Sequence, residues 1–494
     1  MVFSAPTFLF VFLPAVLLLA LIAPRSWRNF VLLAASLFFY AWGEAEFVLV
    51  MLASITFNYV AGLFLGPERS PSARRGVLVL GVGGNLLLLG WFKYAGFIAS
   101  NLARFCTAIG IPATSPSFGS FARFEDIHLP IGISFFTFQA ISYLVDVYRG
   151  EHPPQRRPIQ LALFISLFPQ LIAGPIVRYK DISHQLANRV VNLDNFAEGI
   201  RRFTIGLSKK LLIANTLAVP ADAIFALPPD QLAPSIAWFG ALCYALQIYF
   251  DFSGYSDMAI GLGRFFGFTF PENFNLPYRA ASLTDFWRRW HLSLSAWFRD
   301  YLYIPLGGNR LSARRTYANL LIVFVLCGLW HGASWTFLVW GHFHGGFLML
   351  ERAGWGERLE SLPRPAAHAY CLLAVLCSWI IFRADSLSHA LAYFSSLIGA
   401  VGSDAKVAAM IVDFASPETL VAFLVGGLWA SGTLEQAFVR LASKPTSHDS
   451  NATETSWLHR FTFWASTPGL IALWFLCAVK LASRTYDPFL YFRF

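Results

Sequence analysis

Residues 319–340 read Asn319-Leu-Leu-Ile-Val-Phe-Val-Leu-Cys-Gly-Leu-Trp-His-Gly-Ala-Ser-Trp-Thr-Phe-Leu-Val-Trp340, and this stretch decides the class of fold. Apart from its imidazole it is apolar enough to cross a bilayer as a helix. At about 1.5 Å per residue, His331 lies roughly 18 Å along a helix that starts at Asn319, near mid-membrane. A polar side chain at that depth is costly and usually faces a bundle interior or a water-filled cavity. His331 is therefore the first candidate for a functional residue.

The composition of the whole chain also indicates a membrane protein. Of its 494 residues, 56% are hydrophobic and only 13% are charged, which is too few to cover the surface of a soluble protein. The first apolar stretch, residues 7–23, has no basic n-region and no small-residue cleavage site, so we expect a retained span rather than a signal peptide. We predict an all-α polytopic membrane protein that forms a single domain over residues 1–494, with about eleven spans.

The predicted spans follow the apolar segments of the chain. About eleven spans are expected among thirteen apolar segments, some of them short: residues 7–23, 30–42, 47–65, 77–98, 131–147, 203–219, 235–250, 255–270, 319–349, 370–382, 391–412, 418–431 and 461–480. Segment 160–176 differs because it is short, contains two prolines and has basic residues on both sides. These features predict a re-entrant segment that leaves and returns to the same face of the membrane.

Basic residues occur on alternate loops and predict the orientation. The loops after the first, third and fifth spans are basic, whereas the loop after the second carries Glu44 and Glu46. The basic residues in question are Arg25, Arg28, Arg69, Arg74, Arg75, Arg149, Arg156 and Arg157. By the positive-inside rule these loops are cytoplasmic, which places the N-terminus on the outer side of the membrane. The net charge of +9 is explained by such loops, so no nucleic-acid partner is expected.

The sequence carries no signature of a metal or nucleotide site. Six cysteines lie mostly in apolar segments without paired spacing, which predicts neither a disulfide framework nor a metal centre. We find no Walker-type loop and no Gly-x-Gly-x-x-Gly after a strand.

A second informative stretch runs Asp285-Phe-Trp-Arg-Arg-Trp-His-Leu-Ser-Leu-Ser-Ala-Trp-Phe-Arg-Asp-Tyr-Leu-Tyr-Ile-Pro305. At helical spacing it presents one aromatic stripe, formed by Phe286, Trp290, Leu294, Trp297 and Tyr301. Such a stripe is typical of an amphipathic helix at the membrane interface. The alternative is that His291 points inward, with Asp285 as the carboxylate that orients it. Composition does not separate the two interpretations.

A third stretch, Gln247-Ile-Tyr-Phe-Asp-Phe-Ser-Gly-Tyr-Ser-Asp257, concentrates polar side chains between apolar flanks. Polar groups at that depth need partners, because each unsatisfied group is expensive in hydrocarbon. Two interpretations have equal weight: a helix-packing polar network interrupted by a glycine, or the wall of a polar tunnel. In the second, the candidate tunnel residues are Gln247, Asp251, Ser253 and Tyr255.

The neighbours of His331 favour a site over a packed core position. Cys327, Gly328 and Gly332 are small and lie within one turn of it, which leaves room for a substrate. Farther along, His342 and His344 are expected to approach the opposite interface. Two histidines at that spacing do not share a helix face, so we expect no metal pair.

Several long motifs resemble the membrane-bound O-acyltransferase family. They are Phe168-Pro-Gln-Leu-Ile-Ala-Gly-Pro175, Asp251-Phe-Ser-Gly-Tyr-Ser-Asp257, Pro271-Glu-Asn-Phe-Asn-Leu-Pro-Tyr278, residues 287–310 and Leu329-Trp-His-Gly-Ala-Ser-Trp335. The first residues, Met1-Val-Phe-Ser, and the last, Tyr491-Phe-Arg-Phe, resemble the bacterial branch that acts in alginate O-acetylation. The resemblance covers almost the whole chain.

The resemblance implies a ring of tilted transmembrane helices, with re-entrant segments, around a central tunnel from the cytoplasm to the outer side. His331 matches the catalytic histidine of the family and His291 the second histidine of the bacterial branch. We expect His331 to act as general base and His291 to aid orientation or acyl handling, while a transient acyl-histidine remains an alternative. Trp330 and Trp335 are further tunnel candidates beside the residues named above, Asp285 included. The candidates for binding the phosphates of coenzyme A are Arg288, Arg289 and Arg310, although positive-inside anchoring explains them equally well.

The implied function is transfer of acetyl from cytoplasmic acetyl-CoA across the inner membrane to an exopolysaccharide, most readily alginate. We expect no bound cofactor, contacts with membrane lipids, and a periplasmic SGNH-type acetyltransferase or an acyl-acceptor protein as partner. Cellulose and peptidoglycan are alternative acceptors. The competing class is a transporter or flippase of a solute or lipid-linked sugar, against which the missing inverted repeat argues.

Overall fold

Helices make up most of the described backbone. The computed structural model describes residues 1–110, 127–399, 414–434 and 467–483. In the first half of the chain the helices are α1 (Phe8–Ile22), α2 (Arg28–Ala41), α3 (Val48–Leu63), α4 (Pro71–Ala108), α5 (Ile133–Arg149), α6 (Pro158–Ser166), α7 (Phe168–Leu171), α8 (Tyr179–Asn188), α9 (Leu193–Ser208), α10 (Asn215–Phe225) and α11 (Pro234–Phe265). In the second half they are α12 (Leu283–Trp287), α13 (Leu292–Phe298), α14 (Ala313–His331), α15 (Trp335–Leu350), α16 (Gly356–Ser361), α17 (Arg364–Arg383), α18 (Leu387–Leu397), α19 (Pro417–Ala430) and α20 (Thr467–Ala482). The described part has no β-strand, so the all-α class is confirmed.

Helices from both ends of the chain present apolar side chains at the surface. Leu87 on α4 is 76% exposed, and Leu424 on α19 and Phe475 on α20 are similarly open. Surfaces of this kind are stable against lipid and not against water. By length and composition, α4 and α17 are the two described helices that meet the requirement for a span, and α1, α2, α3, α19 and α20 are shorter apolar helices. The count of about eleven spans stays a prediction.

Helix α11, which carries many buried polar residues, differs from the spans predicted for this part of the chain. Predicted spans 235–250 and 255–270 are one continuous helix of 32 residues, about 48 Å long. Gly254 does not break it. Instead, a Cβ at Gly254 would lie 2.7 Å from the carbonyl oxygen of Gly206, and one at Gly261 would lie 2.7 Å from that of Gly199. The glycines therefore form a seam along which α9 and α11 approach closely.

The stretch predicted as a span at 319–349 is a helical hairpin. Helix α14 ends at His331, the chain turns at Gly332–Ser334, and α15 packs back on α14. At the contact, a Cβ on Gly328 would lie 2.3 Å from the carbonyl oxygen of Phe337. The small residues near His331 therefore allow close helix packing, and the room that we expected beside the imidazole is taken by the partner helix.

The stretch from Asp285 to Pro305 is not one interfacial helix. It consists of the short helices α12 and α13, separated at Arg288–His291, followed by a wide helical turn at Arg299–Tyr303. All five members of the aromatic stripe are buried. The interpretation as an amphipathic surface helix was wrong, because the stripe packs against α5, α11 and α17 inside the protein.

Parts of the predicted spans 391–412 and 461–480, and the chain end that carries Tyr491-Phe-Arg-Phe, lie outside the described residues. Segment 160–176 forms α6 and α7, which have nine and four residues and are too short to span a bilayer.

We predict that Gly341→Ala destabilises the hairpin. The new Cβ would lie 2.4 Å from the carbonyl oxygen of Phe324, so α14 and α15 must separate, at a cost of about 1–3 kcal/mol. The matched control is Gly346→Ala on the same helix, where a Cβ meets nothing within 4 Å. Thermal unfolding of the two purified variants in detergent should show a lower midpoint for Gly341→Ala and an unchanged or higher one for Gly346→Ala. Equal midpoints would contradict the close packing.

Candidate active site

His331 is the last residue of α14 and is buried in an aromatic cage. Its side chain lies among Trp330, Trp340 and Phe382, with ring centroids 5.0, 5.1 and 5.3 Å away. The predicted position in the middle of a continuous helix was wrong, since the helix begins at Ala313 and stops at the histidine. The imidazole is therefore held at a helix end inside the protein.

Two side chains of α4 donate hydrogen bonds to the last carbonyl groups of α14. The ammonium group of Lys93 donates to the carbonyl oxygens of Trp330 at 2.5 Å and His331 at 3.4 Å. The hydroxyl of Tyr94 donates to the carbonyl oxygen of Leu329 at 2.7 Å. The last carbonyl groups of a helix have no partner within the helix, and they carry a partial negative charge that favours a cation. Lys93 and Tyr94 thus fix the end of α14 and, with it, the backbone of His331.

His291 is a second buried histidine, and it is held by an amide. Its Nδ1 lies 3.0 Å from Oδ1 of Asn273. The ring stands edge-on to Phe252 of α11 at 4.6 Å and lies 6.1 Å from Trp330. Trp330 therefore neighbours both His291 and His331, and the two predicted catalytic residues share one aromatic environment.

Asp285 does not orient His291. Its carboxylate accepts a hydrogen bond from Arg289 Nε at 2.9 Å, one helical turn away, and both groups are partly exposed. The expectation of a carboxylate beside His291 was wrong, because the break at Arg288–His291 turns the histidine inward and leaves Asp285 with its neighbour. An amide fills the place that we assigned to a carboxylate.

His344 is a third buried histidine. Trp287 Nε1 donates to its Nδ1 at 3.2 Å, and its ring is 4.7 Å from Trp340. We expected it near the opposite interface, which was wrong because α15 turns back along α14. His342, two residues earlier, is exposed, and its Nδ1 lies 2.8 Å from the carbonyl oxygen of Leu338 on its own helix.

The polar candidates of α11 are buried but point to different neighbours. Gln247, Asp251, Ser253 and Tyr255 are each 2% exposed or less. Asp251 pairs with Lys210 at 2.6 Å, and Tyr255 stacks on Phe3 at 4.5 Å. The residue of α11 that contacts His291 is Phe252. These contacts are those of a helix-packing network, although Gly254 does not interrupt the helix as that interpretation expected. A tunnel role for the four residues stays a prediction.

The remaining candidates lie farther out. Arg288 and Arg310 are exposed, so they are accessible to a solute, whereas Arg289 is engaged with Asp285. Trp335 is 53% exposed and donates from Nε1 to Asn101 Oδ1 at 2.9 Å. Trp335 thus belongs to the surface of the hairpin, while Trp330 belongs to the site.

Sequence reasoning missed three residues that organise this centre. Lys93 is the one charged residue in the apolar segment 77–98, so the cost argument that selected His331 applies to it equally. Asn273 lies in Pro271-Glu-Asn-Phe-Asn-Leu-Pro-Tyr278, a motif that we used for resemblance without asking what its polar groups contact. His344 carried no separate signal, because its depth follows from the hairpin.

Comparisons with known proteins identify the family of the chain. Residues 151–388, which include both His291 and His331, match the model of the membrane-bound O-acyltransferase family. The chain is 41% identical to the probable alginate O-acetylase AlgI of Azotobacter vinelandii and 42% identical to that of Pseudomonas putida, in both cases over 100% of each chain. It is also 38% identical to the peptidoglycan O-acetyltransferase of Helicobacter pylori, over 81% of this chain and 80% of the relative.

We predict that Lys93→Met lowers stability by about 1–3 kcal/mol, because it leaves the buried carbonyl groups of Trp330 and His331 without a donor. Ser100→Ala on the same helix is the control, since Ser100 donates only to Phe97 within α4. Thermal unfolding in detergent measures both. A Lys93→Met protein as stable as the Ser100→Ala protein would mean that α14 does not depend on this cation.

Proposed function

Because the chain belongs to the membrane-bound O-acyltransferase family and is an acyltransferase, we propose that it moves acetyl from cytoplasmic acetyl-CoA across the bacterial inner membrane for O-acetylation of an exopolysaccharide. The observation that carries the proposal is the placement of His331 and His291 beside the same buried indole, Trp330. An acyl donor and an acceptor hydroxyl that met there would be shielded from bulk water, so transfer would be favoured over hydrolysis.

The proposed architecture is a ring of about eleven tilted helices and re-entrant segments around a tunnel, with the N-terminus in the periplasm. The apolar outer faces of α1–α4, α19 and α20 support contact with lipid, and the short buried helices α6 and α7 support re-entrant segments in the interior. Such a tunnel lets a cytoplasmic donor and an external acceptor reach one histidine from opposite sides.

The proposed chemistry needs one proton acceptor. As the acceptor hydroxyl oxygen attacks the thioester carbonyl carbon, neutral His331 takes the hydroxyl proton. The carbon–sulfur bond then breaks, the thiolate of coenzyme A leaves, and His331 returns the proton to it. The products are an acetyl ester and coenzyme A. An acyl-histidine on His331 or His291 would reach the same products in two steps.

Alginate is the proposed final acceptor, supported by the full-length similarity to two proteins named alginate O-acetylases. The similarity to a protein named peptidoglycan O-acetyltransferase makes peptidoglycan the second choice, ahead of cellulose. The direct acceptor in this proposal is a periplasmic SGNH-type transferase or another acyl-acceptor protein, which delivers acetyl to the polymer.

We predict that His331→Gln lowers acetyl transfer by at least about 100-fold, since it removes the proposed general base. His342→Gln is the matched control, because it changes an exposed histidine on the neighbouring helix. Each variant would be expressed in alginate-producing cells that lack their own alginate O-acetylase, and polymer acetylation measured together with the amount of inserted protein.

Retention of more than half of the acetylation by His331→Gln would overturn the base assignment. Two results together would overturn the enzyme proposal and favour a transporter. The purified wild-type chain in proteoliposomes would consume no acetyl-CoA with any acceptor present, and expression of the chain would not restore acetylation in cells.

We further predict that Arg288→Gln or Arg310→Gln raises KM for acetyl-CoA about five- to tenfold with little change in kcat, by removing a contact with a phosphate that is equal in ground and transition states. The sharper measurement compares acetyl-CoA with its 3′-dephospho form. If one of these arginines binds the 3′-phosphate, its variant no longer distinguishes the two donors. Arg358→Gln, at an exposed position on α16, is the control.

A further inference from the structure

Asn273 connects four separate parts of the chain. Its Oδ1 lies 3.0 Å from His291 Nδ1 and accepts from the hydroxyl of Ser293 at 2.8 Å and the backbone N–H of Ser293 at 3.3 Å. Its Nδ2 donates to the hydroxyl of Ser256 on α11 at 2.9 Å. The hydroxyl oxygen of Ser293 in turn accepts from the backbone N–H of Ile176. The side chain is 1% exposed, so this network is enclosed by protein.

These partners determine which way the amide faces. A backbone N–H can only donate, so the atom of Asn273 that meets Ser293 N must be the oxygen. The hydroxyl of Ser293 already accepts from Ile176, which leaves its proton free to donate to the same oxygen. The amide nitrogen then faces Ser256, whose hydroxyl can accept. Every contact of the amide agrees with this single orientation.

The orientation of the amide fixes the proton on His291. An amide oxygen only accepts, so Nδ1 of His291 must carry a hydrogen. A neutral imidazole has one N–H and one lone pair, and the lone pair of His291 is therefore on Nε2. Nε2 is buried and has no hydrogen-bond partner among residues 1–110, 127–399, 414–434 and 467–483. An unpaired acceptor at this depth is uncommon enough to require a reason.

His344 has the opposite tautomer, which makes the state of His291 specific. The indole N–H of Trp287 only donates, so Nδ1 of His344 must accept, and its proton is on Nε2. Of these two histidines with assigned partners, His291 is thus the one whose Nε2 offers a lone pair.

The backbone of His291 supports the same conclusion. Its φ is 46°, in the left-handed region that costs a non-glycine residue of order 1–3 kcal/mol and persists where the surroundings enforce it. Here the next residue, Leu292, donates its N–H to the backbone oxygen of Asn273 at 3.0 Å. Asn273 therefore restrains both the ring and the main chain of His291.

We propose that Asn273 is a positioning residue that holds neutral His291 as the Nδ1–H tautomer, so that Nε2 accepts the hydrogen bond of the hydroxyl group to be acetylated. This proposal rests on the proposed function and deepens it by giving His291 the task of orienting the acceptor: the single O–H hydrogen is held by Nε2 of His291 on binding and is turned to His331, which takes it as the oxygen attacks. The titratable group that interacts electrostatically with His291 is His331 of α14, whereas α11 presents the phenyl ring of Phe252 to it.

The first test is the pH dependence of acetyl transfer by purified protein in proteoliposomes. Asn273→Asp keeps an oxygen opposite Nδ1–H, and Ser256 can reverse its hydroxyl to donate to the carboxylate. The added negative charge stabilises the imidazolium, which cannot accept a hydrogen bond at Nε2. The acid limb of the rate profile should therefore move to higher pH by about 1–3 units, with activity recovering above it.

Two variants separate positioning from packing. Asn273→Leu removes the acceptor oxygen at similar volume and should lower kcat about 10-fold at every pH, because part of the protein then has the wrong tautomer and the ring is less well oriented. Ser256→Ala removes a partner on the nitrogen side of the amide, so it should lower the thermal midpoint without moving the acid limb. If Asn273→Asp leaves the limb in place, or Ser256→Ala moves it equally, the positioning role of Asn273 is overturned.

The second test needs no activity. Solid-state NMR of protein labelled with [15N]histidine distinguishes bare from protonated ring nitrogens, and the signals of His291 are those lost in His291→Gln. The wild-type protein should show a protonated Nδ1 and a bare Nε2, and Asn273→Leu should show a mixture of tautomers. A protonated Nε2 in the wild type would overturn the inference even if acetyl transfer is measured. Absence of acetyl transfer with the expected tautomer would instead overturn the proposed function.

Discussion

A helix that ends inside an apolar protein must find hydrogen-bond donors for its last carbonyl groups, and the candidate active site depends on how α14 meets this demand. Lys93 and Tyr94 supply the donors from a helix more than 230 residues earlier in the chain. A cation suits the carbonyl end of a helix, because that end carries partial negative charge. His331 is thus held by its backbone, which leaves its ring free of hydrogen bonds within the described part of the protein.

The other polar elements of the site also lie where the backbone departs from helix. His291 stands at the break between α12 and α13, and Asn273 lies in the irregular segment that follows α11. Leu292 and Asn275 connect these two segments through backbone hydrogen bonds. Irregular backbone at membrane depth is tolerated where protein encloses it, and it can aim side chains in directions that a continuous helix cannot. The same interruptions that remove helical hydrogen bonds therefore position the side chains of the candidate site.

The fold class and the importance of His331 were predictable from the cost of polarity in an apolar chain, whereas His291 was predicted only through the resemblance to the family. The wrong predictions concern the roles of two glycines and the hydrogen-bond partner of His291. Gly254 and Gly328 were taken as a break and as free space, whereas both lie where two helices touch. Hydropathy along the chain cannot distinguish these cases, since the carbonyl groups of Gly206 and Phe337 come from other segments. Asp285 failed as a partner for His291 for the same reason: Asn273 comes close only through the fold.

The interior polar groups divide into two sets that serve different purposes. Asp257 is bonded to Arg202 and Lys209, and Asp251 to Lys210, so the hydrogen bonds of these groups hold α9 and the residues directly after it against α11. Around the histidines, by contrast, several buried nitrogen atoms have no partner in the described part of the chain: Nε2 of His291, Nε2 of His344, Nε1 of Trp330 and Nε1 of Trp340. Their rings are neighbours in series around His331. A group whose bonds are already formed contributes to stability but is not available to a substrate, whereas chemistry requires donors and acceptors that the fold leaves unused. By this criterion we expect the proposed reaction among the histidines and the tryptophans, and we expect the ion pairs of α11 to stabilise the helices around them.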